Sequence, residues 1–218
     1  MIHLITSFYL IDKNDDISIK RNNELQQCLI NNLKSNLITK IHLYVDDENS
    51  LNKVRELEQN IEILNKTYIV NVGKQPLYSE LFDYIIENLK NEICMISNSD
   101  IYLHECDIDC LIGISNNIFA LTRYEFDFSC PLIDQKIGSH DAFIFRSPLK
   151  KDFLHNLNHV QNVGGSDDNV VNNLVDYGYK LYNPCFQIKI VHLHESALRT
   201  YGNDRIAKGK YFIKQGYF

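Results

Sequence analysis

Four apolar runs of strand length, separated by segments of helical periodicity, fill the first hundred residues and constrain the fold more than any other feature. The runs are IHLITSF (2–8), ITKIHLYVDD (38–47), IEIL (61–64) and EICMIS (92–97). Between them, residues 20–37 carry Leu25, Cys28, Leu29, Leu33 and Leu37 on one helical face. Residues 49–58 read as a short charged helix, and residues 77–90 repeat Leu77, Leu81, Ile85 and Leu89 at every fourth place. The resulting β-α-β-α-β-α-β order predicts an α/β fold: a mixed, mostly parallel central sheet flanked by helices on both faces. Strands buried on both faces read as unbroken apolar runs, as these do.

The second half has a different grammar. IFALTRY (118–124) and DAFIFRS (141–147) read as strands on either side of a polar loop, and residues 167–178 as a helix ending at Gly178. KLYNP (180–184) and FQIKIVHLH (186–194) read as further strands before a basic, turn-rich tail. No internal repeat and no Pro/Ser linker divides the 218 residues, so one domain is expected over 1–218.

Charge and targeting signals exclude several classes. Lys plus Arg number 22 against 28 Asp plus Glu, a net charge of −6, the wrong sign for a protein that lives on nucleic-acid phosphates. No apolar stretch reaches the roughly 18–20 residues of a membrane span. The N-terminus has no basic region or small-residue cleavage site and reads as a first strand, not a signal peptide. The six cysteines form no CxxC pair, so reduced thiols in a cytoplasmic protein are expected rather than a zinc site.

In open α/β sheets ligands bind beyond the carboxyl ends of the strands. That rule selects Thr6-Ser7, Asp46-Asp47 and Asn98-Ser99-Asp100, polar groups that follow apolar runs. GxGxxG, GxxxxGK[ST] and GxSxG motifs are absent, which removes dinucleotide, P-loop and hydrolase-elbow readings. A metal–diphosphate site built from acids remains. MISNSDIYL (95–103) ends a buried strand in an acid whose oxygens suit Mg²⁺ or Mn²⁺, although an Asn-Ser-Asp turn gives the same triplet. GGSDDNVV (164–171) sets two glycines and two acids at a helix start, a pattern an Asp cap also produces. In VHLHES (191–196), His192 and His194 share one face of a strand. In GSHDAFIF (138–145), Asp141 would be costly to bury without a partner.

Taken together, ITSFY, LYVDD, MISNSDIYL, ALTRYE, GSHDAFIF, GGSDDN and HLHESALRTY resemble, in order and spacing over about residues 2–201, small nucleotide-sugar glycosyltransferases of the GT-A type. Within these the chain resembles the N-terminal modules of large multidomain chlorella-virus glycosyltransferases. The resemblance implies the GT-A (nucleotide-diphospho-sugar transferase) fold, with residues 1–100 as the nucleotide-binding half and 101–218 as the acceptor and catalytic half. It makes MISNSDIYL a variant DXD motif in which Asn98 replaces the first acid, lowering the charge at the site. Asp100 and His194 are then ligands of Mn²⁺ or Mg²⁺, with His192 as the alternative to His194.

The donor implied is a UDP-sugar, the acceptor a glycan or other hydroxyl compound, and the location the cytoplasm, a host's if the source is viral. Thr6, Ser7, Tyr9, Asp46, Tyr78, Asn98, Ser99, Arg123, Arg199 and Tyr201 are expected around the donor, with Lys208 and Lys210 in a lid. An inverting transfer needs a carboxylate base. Asp168 is preferred, with Asp141 and Asp167 as alternatives; a retaining enzyme would not need the base there. Two other classes compete. A sugar nucleotidyltransferase shares the sheet and the metal acid but needs a Gly-rich basic loop after the first strand. A non-catalytic sugar-nucleotide-binding module with a decayed site is favoured by Asn98.

Overall fold

The computed structural model describes residues 2–128, 139–199, 204–211 and 213–218. Its first half follows the predicted alternation: β1 (Ile2–Phe8), α1 (Asp16–Lys34), β2 (Ile38–Val45), α2 (Glu48–Asn60), β3 (Thr67–Val72), α3 (Tyr78–Asn88) and β4 (Ile93–Ser97). There follow β5 (Ile101–Cys106), α4 (Ile108–Ile112), β6 (Asn117–Leu121), β7 (Tyr124–Glu125), β8 (Ala142–Arg146), α5 (Ser166–Asp176), β9 (Lys180–Tyr182) and β10 (Ile188–His192).

Seven strands form the main sheet in the order β3-β2-β1-β4-β8-β6-β9. The first four are parallel, β8 runs antiparallel to β4 and β6, and β9 is parallel to β6. The chain thus winds outward from β1 to β3, then crosses back through α3 to lay β4 on the other side of β1. This reversal leaves a crevice beyond the carboxyl ends of β1 and β4. A small sheet, β5-β10-β7, stands beside it.

The two faces of the main sheet carry separate cores. Ile2, Leu4 and Phe8 of β1 pack with Leu25, Leu29 and Leu33 of α1 and with Leu51, Val54 and Leu57 of α2. Ile5 points the other way, into a core with Leu81, Phe82 and Ile85 of α3 and Val170, Val171 and Leu174 of α5. Phe82 stacks on Phe145 at 5.5 Å and meets Phe153 edge-on at 5.3 Å. Each such fully buried side chain contributes about 1.5–3 kcal/mol. Truncating Phe145 to alanine would remove the stack and cost about 3–5 kcal/mol.

The main departures from the sequence expectation have local causes. α1 begins at Asp16, not residue 20, because Asp15 caps it: its carboxylate accepts from the Ser18 backbone N–H at 2.9 Å. IEIL is not a strand; Ile61 closes α2, Glu62 takes a positive φ, and the third strand is Thr67–Val72. The expected strand 118–124 divides into β6 and β7, which belong to different sheets.

Candidate functional site

β4 ends at Ser97, and the next three residues, Asn98, Ser99 and Asp100, turn the chain into β5 over the mouth of the crevice. The turn is pinned to β1, where the Ser7 and Ser99 hydroxyls are 2.9 Å apart and Thr6 Oγ1 donates to the Ser97 carbonyl at 2.9 Å. β10 pairs antiparallel with β5 so that His192 lies opposite Ile101. The Leu193 N–H donates to the Asp100 carbonyl at 3.0 Å. The two histidines, ninety residues away in sequence, therefore arrive at Asp100 through strand register.

Asp100 is buried and richly compensated. Its Oδ2 accepts from Arg21 Nη2 at 2.6 Å and lies 3.1 Å from His192 Nε2. Burial opposes its charge, but His192 and Arg21 outweigh burial and hold the carboxyl well below the usual range. Arg21 is itself buried in α1 and also donates to Glu24 and to the Leu193 carbonyl. His192 lies between two carboxylates, with Nδ1 3.1 Å from Glu125 Oε2. Burial lowers its pKa, but the hydrogen bonds to Asp100 and Glu125 prevail and raise it to about 9. It is an imidazolium that donates from both nitrogens, and Glu125 is drawn down to about 2, first by His192 and then by Arg123.

His194 differs. Its Nε2 is 2.9 Å from the Leu198 carbonyl, which can only accept, so the proton sits on Nε2. Burial lowers the pKa, leaving the ring neutral with a lone pair on Nδ1. That lone pair faces Asp100 Oδ2 across 3.9 Å, too far for a hydrogen bond. A cation between them would share Asp100 Oδ2 with Arg21 and His192, which already bond to it. Asp100, His192 and His194 offer ligand atoms within 4.8 Å of one another, and the protonation pattern favours Asp100 and His194 as the donor pair.

The cleft beside this cluster is lined by Ser7, Tyr9, Asn98, Ser99, Asp100, Arg123, Asp141, His192, His194 and Arg199, all expected from the sequence. It is also lined by Arg21, Gln75, Gln161, Asn162 and Leu198, which the sequence did not single out. Gln161 bridges the Ser97 carbonyl and Asn98 Oδ1 at 3.0 and 3.3 Å. Asp141, at the entry to β8, accepts from Arg123 Nη1 at 3.0 Å, while its Oδ2 is buried without a partner among the described residues. Arg123 also donates to Glu125 at 3.0 Å, linking the Asp141 and Asp100 ends of the cleft.

Other expected residues lie outside the lining. Thr6 is buried in its bond to Ser97, and Tyr78 is fully buried edge-on to Phe143. Asp46 is half-buried past β2, with Oδ1 unpartnered among the described residues and its pKa raised by burial and by Asp47. Its neighbour Asp47 is the N-cap of α2. Asp167 and Asp168 occupy the first turn of α5, Asp168 paired with Arg205 at 2.5 Å. Lys210 is bonded to Asp176 and to Asn172 of α5, away from the cleft lining. Tyr201 lies outside the described residues.

The GGSDDN segment has a backbone reason for its glycines. Gly165 adopts φ +77°, and a Cβ there would meet the Ala207 carbonyl oxygen at 2.3 Å. The chain following residue 204 straps across the start of α5, with Ile206 donating to the Gly164 carbonyl.

No protein-family model matches the chain, and no curated protein sequence does. Solved structures do. A glucose-1-phosphate thymidylyltransferase from Bacillus anthracis, solved with sucrose, matches 84% of this chain and 87% of its own at 9% identity and TM-score 0.51. The mannosyltransferase PcManGT from Pyrobaculum calidifontis, in complex with GDP-Man and Mn²⁺, matches 88% of this chain and 56% of its own at 12% identity and TM-score 0.51. A 4-diphosphocytidyl-2C-methyl-D-erythritol synthase from Anaerococcus prevotii matches 93% and 91% at 8% identity and TM-score 0.51. At these identities the likeness is one of fold. The chain has the nucleotide-diphospho-sugar transferase fold, which glycosyltransferases and nucleotidyltransferases share.

Proposed function

We propose that this chain is a metal-dependent glycosyltransferase that moves a sugar from a UDP-sugar to a hydroxyl acceptor. The observation that carries this reading is the opposed pair Asp100 Oδ2 and His194 Nδ1, 3.9 Å apart at the crevice between β1 and β4. Asp100 and His194 would hold Mn²⁺ or Mg²⁺, which offsets the charge that builds on a leaving diphosphate. Ser7, Tyr9, Asn98, Ser99 and Arg199 would bind the donor from the cleft wall, with residues 1–100 supplying most nucleotide contacts and 101–218 the acceptor side. The PcManGT complex with GDP-Man and Mn²⁺ supports this choice as a fold-level analogy.

We assign the base for an inverting transfer to Asp141 in preference to Asp168. Asp141 lines the cleft, whereas Asp168 faces Arg205 outside the lining. Arg123 orients the Asp141 carboxylate through Oδ1, and of the three candidate acids Asp141 is the one on the cleft wall, where an acceptor hydroxyl would give up its proton. His192, held between Asp100 and Glu125, fixes the carboxylate that faces His194.

One observation weighs against a nucleotidyltransferase. The segment after β1 contains no glycine, and its Leu10 and Ile11 amides already donate to Ser50 and Asn22 side chains, so they are not free for a triphosphate. The kinship with viral modules and the cytoplasmic location belong to the same proposal; five free cysteines among the described residues fit a reducing compartment. No helix among the described residues is long and apolar enough to cross a membrane.

Calorimetric titration with UDP, GDP and CDP, each with and without Mn²⁺, tests the reading. UDP binding that requires Mn²⁺, followed by slow UDP-sugar hydrolysis, is expected. Absence of diphosphate binding by the folded chain would overturn it. Metal-dependent UDP binding without turnover would favour the decayed module, and turnover of a nucleoside triphosphate with a sugar phosphate would favour the nucleotidyltransferase.

A further inference from the structure

A second group of metal-competent side chains lies at the start of α5. His140, the residue before Asp141, is only 2% exposed, and among the described residues neither of its ring nitrogens has a hydrogen-bond partner. A buried polar group left without a partner costs about 1–3 kcal/mol. Native proteins pair such groups or hold a water or an ion against them.

The acids beside His140 have the complementary deficit. One ligand atom each from His140, Asp167 and Asp168 lies within 4.8 Å of the other two. Asp167 Oδ2 accepts the His140 backbone N–H at 3.3 Å, and among the described residues it forms no ion pair. Burial, and then Asp141 and Asp168, push its carboxyl up to about 6. Burial lowers the His140 pKa, which keeps the ring in the neutral form a metal needs. Two partly buried acids, Asp167 with no ion pair among the described residues and Asp168 with Arg205 alone, thus face a buried imidazole short of hydrogen bonds.

We propose that His140, Asp167 and Asp168 form a second cation site, separate from Asp100 and His194. One imidazole nitrogen with two carboxylates suits Zn²⁺ or Mn²⁺ better than Ca²⁺, which prefers all-oxygen shells. The ion would tie the entry of β8 to the first turn of α5. Asp141 follows His140 directly, so this tie sets the backbone that carries the cleft carboxylate. Arg205 is the built-in competitor: its guanidinium lies 2.5 Å from Asp168 Oδ2, and its side chain is 53% exposed and free to withdraw.

Equilibrium dialysis of the untagged full chain against Zn²⁺ alone, with bound metal counted by atomic emission, tests the site. Asp100→Asn with His194→Ala removes the first pair and is expected to leave one equivalent bound. Adding His140→Gln should release it. Asp168→Asn, a change at a more accessible side chain, should weaken it at least tenfold, and Arg205→Ala should tighten it severalfold. A chain with Asp100→Asn and His194→Ala, shown folded by circular dichroism, that binds no Zn²⁺ would overturn the proposal. So would an equivalent that neither His140→Gln nor Asp168→Asn weakens. If instead the wild type holds a single equivalent that survives Asp100→Asn with His194→Ala and is lost with His140→Gln, the second site stands and the metal role of Asp100 falls.

Discussion

Asp100 and Asp167 are the same residue at comparable places, one just past a strand end and one in a first helical turn, yet their surroundings drive them in opposite directions. α1 brings Arg21 to Asp100 and β10 brings His192, so its charge is held firmly. α5 brings Asp167 only another acid, and β8 brings Asp141 and a neutral buried imidazole. The first corner already carries positive charge around its carboxylate. The second carries one guanidinium, Arg205 on Asp168, and among the described residues none on Asp167. Burial is common to both, so the difference lies in which cations the neighbouring elements deliver.

The largest expected effect comes from breaking the compensated corner. Asp100→Asn strands Arg21 and the His192 imidazolium without their anion, and breaking a buried pair in this way costs about 3–5 kcal/mol. Mn²⁺-dependent UDP binding should vanish with it. Denaturant unfolding and calorimetry read the two losses, and an unchanged Mn²⁺ requirement would remove Asp100 from the metal site. Next in size is the carboxylate that lines the cleft. Asp141→Asn should lower kcat by about 10²–10⁴ while UDP affinity stays nearly intact, as for a lost base. If Asp168→Asn shows that signature and Asp141→Asn does not, the base belongs to α5.

The under-compensated corner should respond with the opposite sign. Asp167→Asn keeps an acceptor for the His140 N–H and removes a charge with no ion-pair partner among the described residues. Without metal, in chelator at pH 8, it should stabilise the fold by about 1–2 kcal/mol. Thermal unfolding checks this, and a destabilised Asp167→Asn would mean that the acid has a positive partner after all.

The sequence made one corner easier to foresee than the other. Asp100 closes the Asn-Ser-Asp turn after the run EICMIS and is read from strand ends alone. His194 carried a resemblance-based assignment, and its tautomer depends on the Leu198 carbonyl, which no motif encodes. Arg21 went unnoticed because a cation inside a helix reads as solvated surface; its role appears only when α1 packs over a residue 79 positions later. His140 was hidden in the same way, since its lack of partners is a property of the packed interior. Among the elements, β1, β2 and β4 were legible because they are buried on both faces. β3 was not, because it is an edge strand with Thr67, Tyr68 and Asn71 at least partly exposed, and the apolar run IEIL drew the assignment to the end of α2. β5 was missed because its alternation is short and its partner, β10, is at the far end of the chain.

A third buried imidazole separates burial from partner chemistry and has the smallest expected effect. His42 in β2 is 6% exposed, with Nε2 2.9 Å from His3 Nδ1 and Nδ1 2.9 Å from the Tyr84 hydroxyl. It has partners on both nitrogens, as His192 does, but no carboxylate. Burial, assisted by His3 and Lys40, lowers its pKa to about 4, whereas the carboxylates raise that of His192. A folded pKa below the unfolded 6.5 means that the unfolded chain binds the extra proton. The contribution of His42 to stability is therefore complete above pH 6.5 and is lost as the pH falls towards 4. The expected loss is about 1 kcal/mol, below the full linkage value because His3 offers a partly exposed second acceptor. His42→Gln should flatten unfolding free energy against pH over that window in chelator. An unchanged slope would assign the acid sensitivity to other groups and remove burial of His42 from the account.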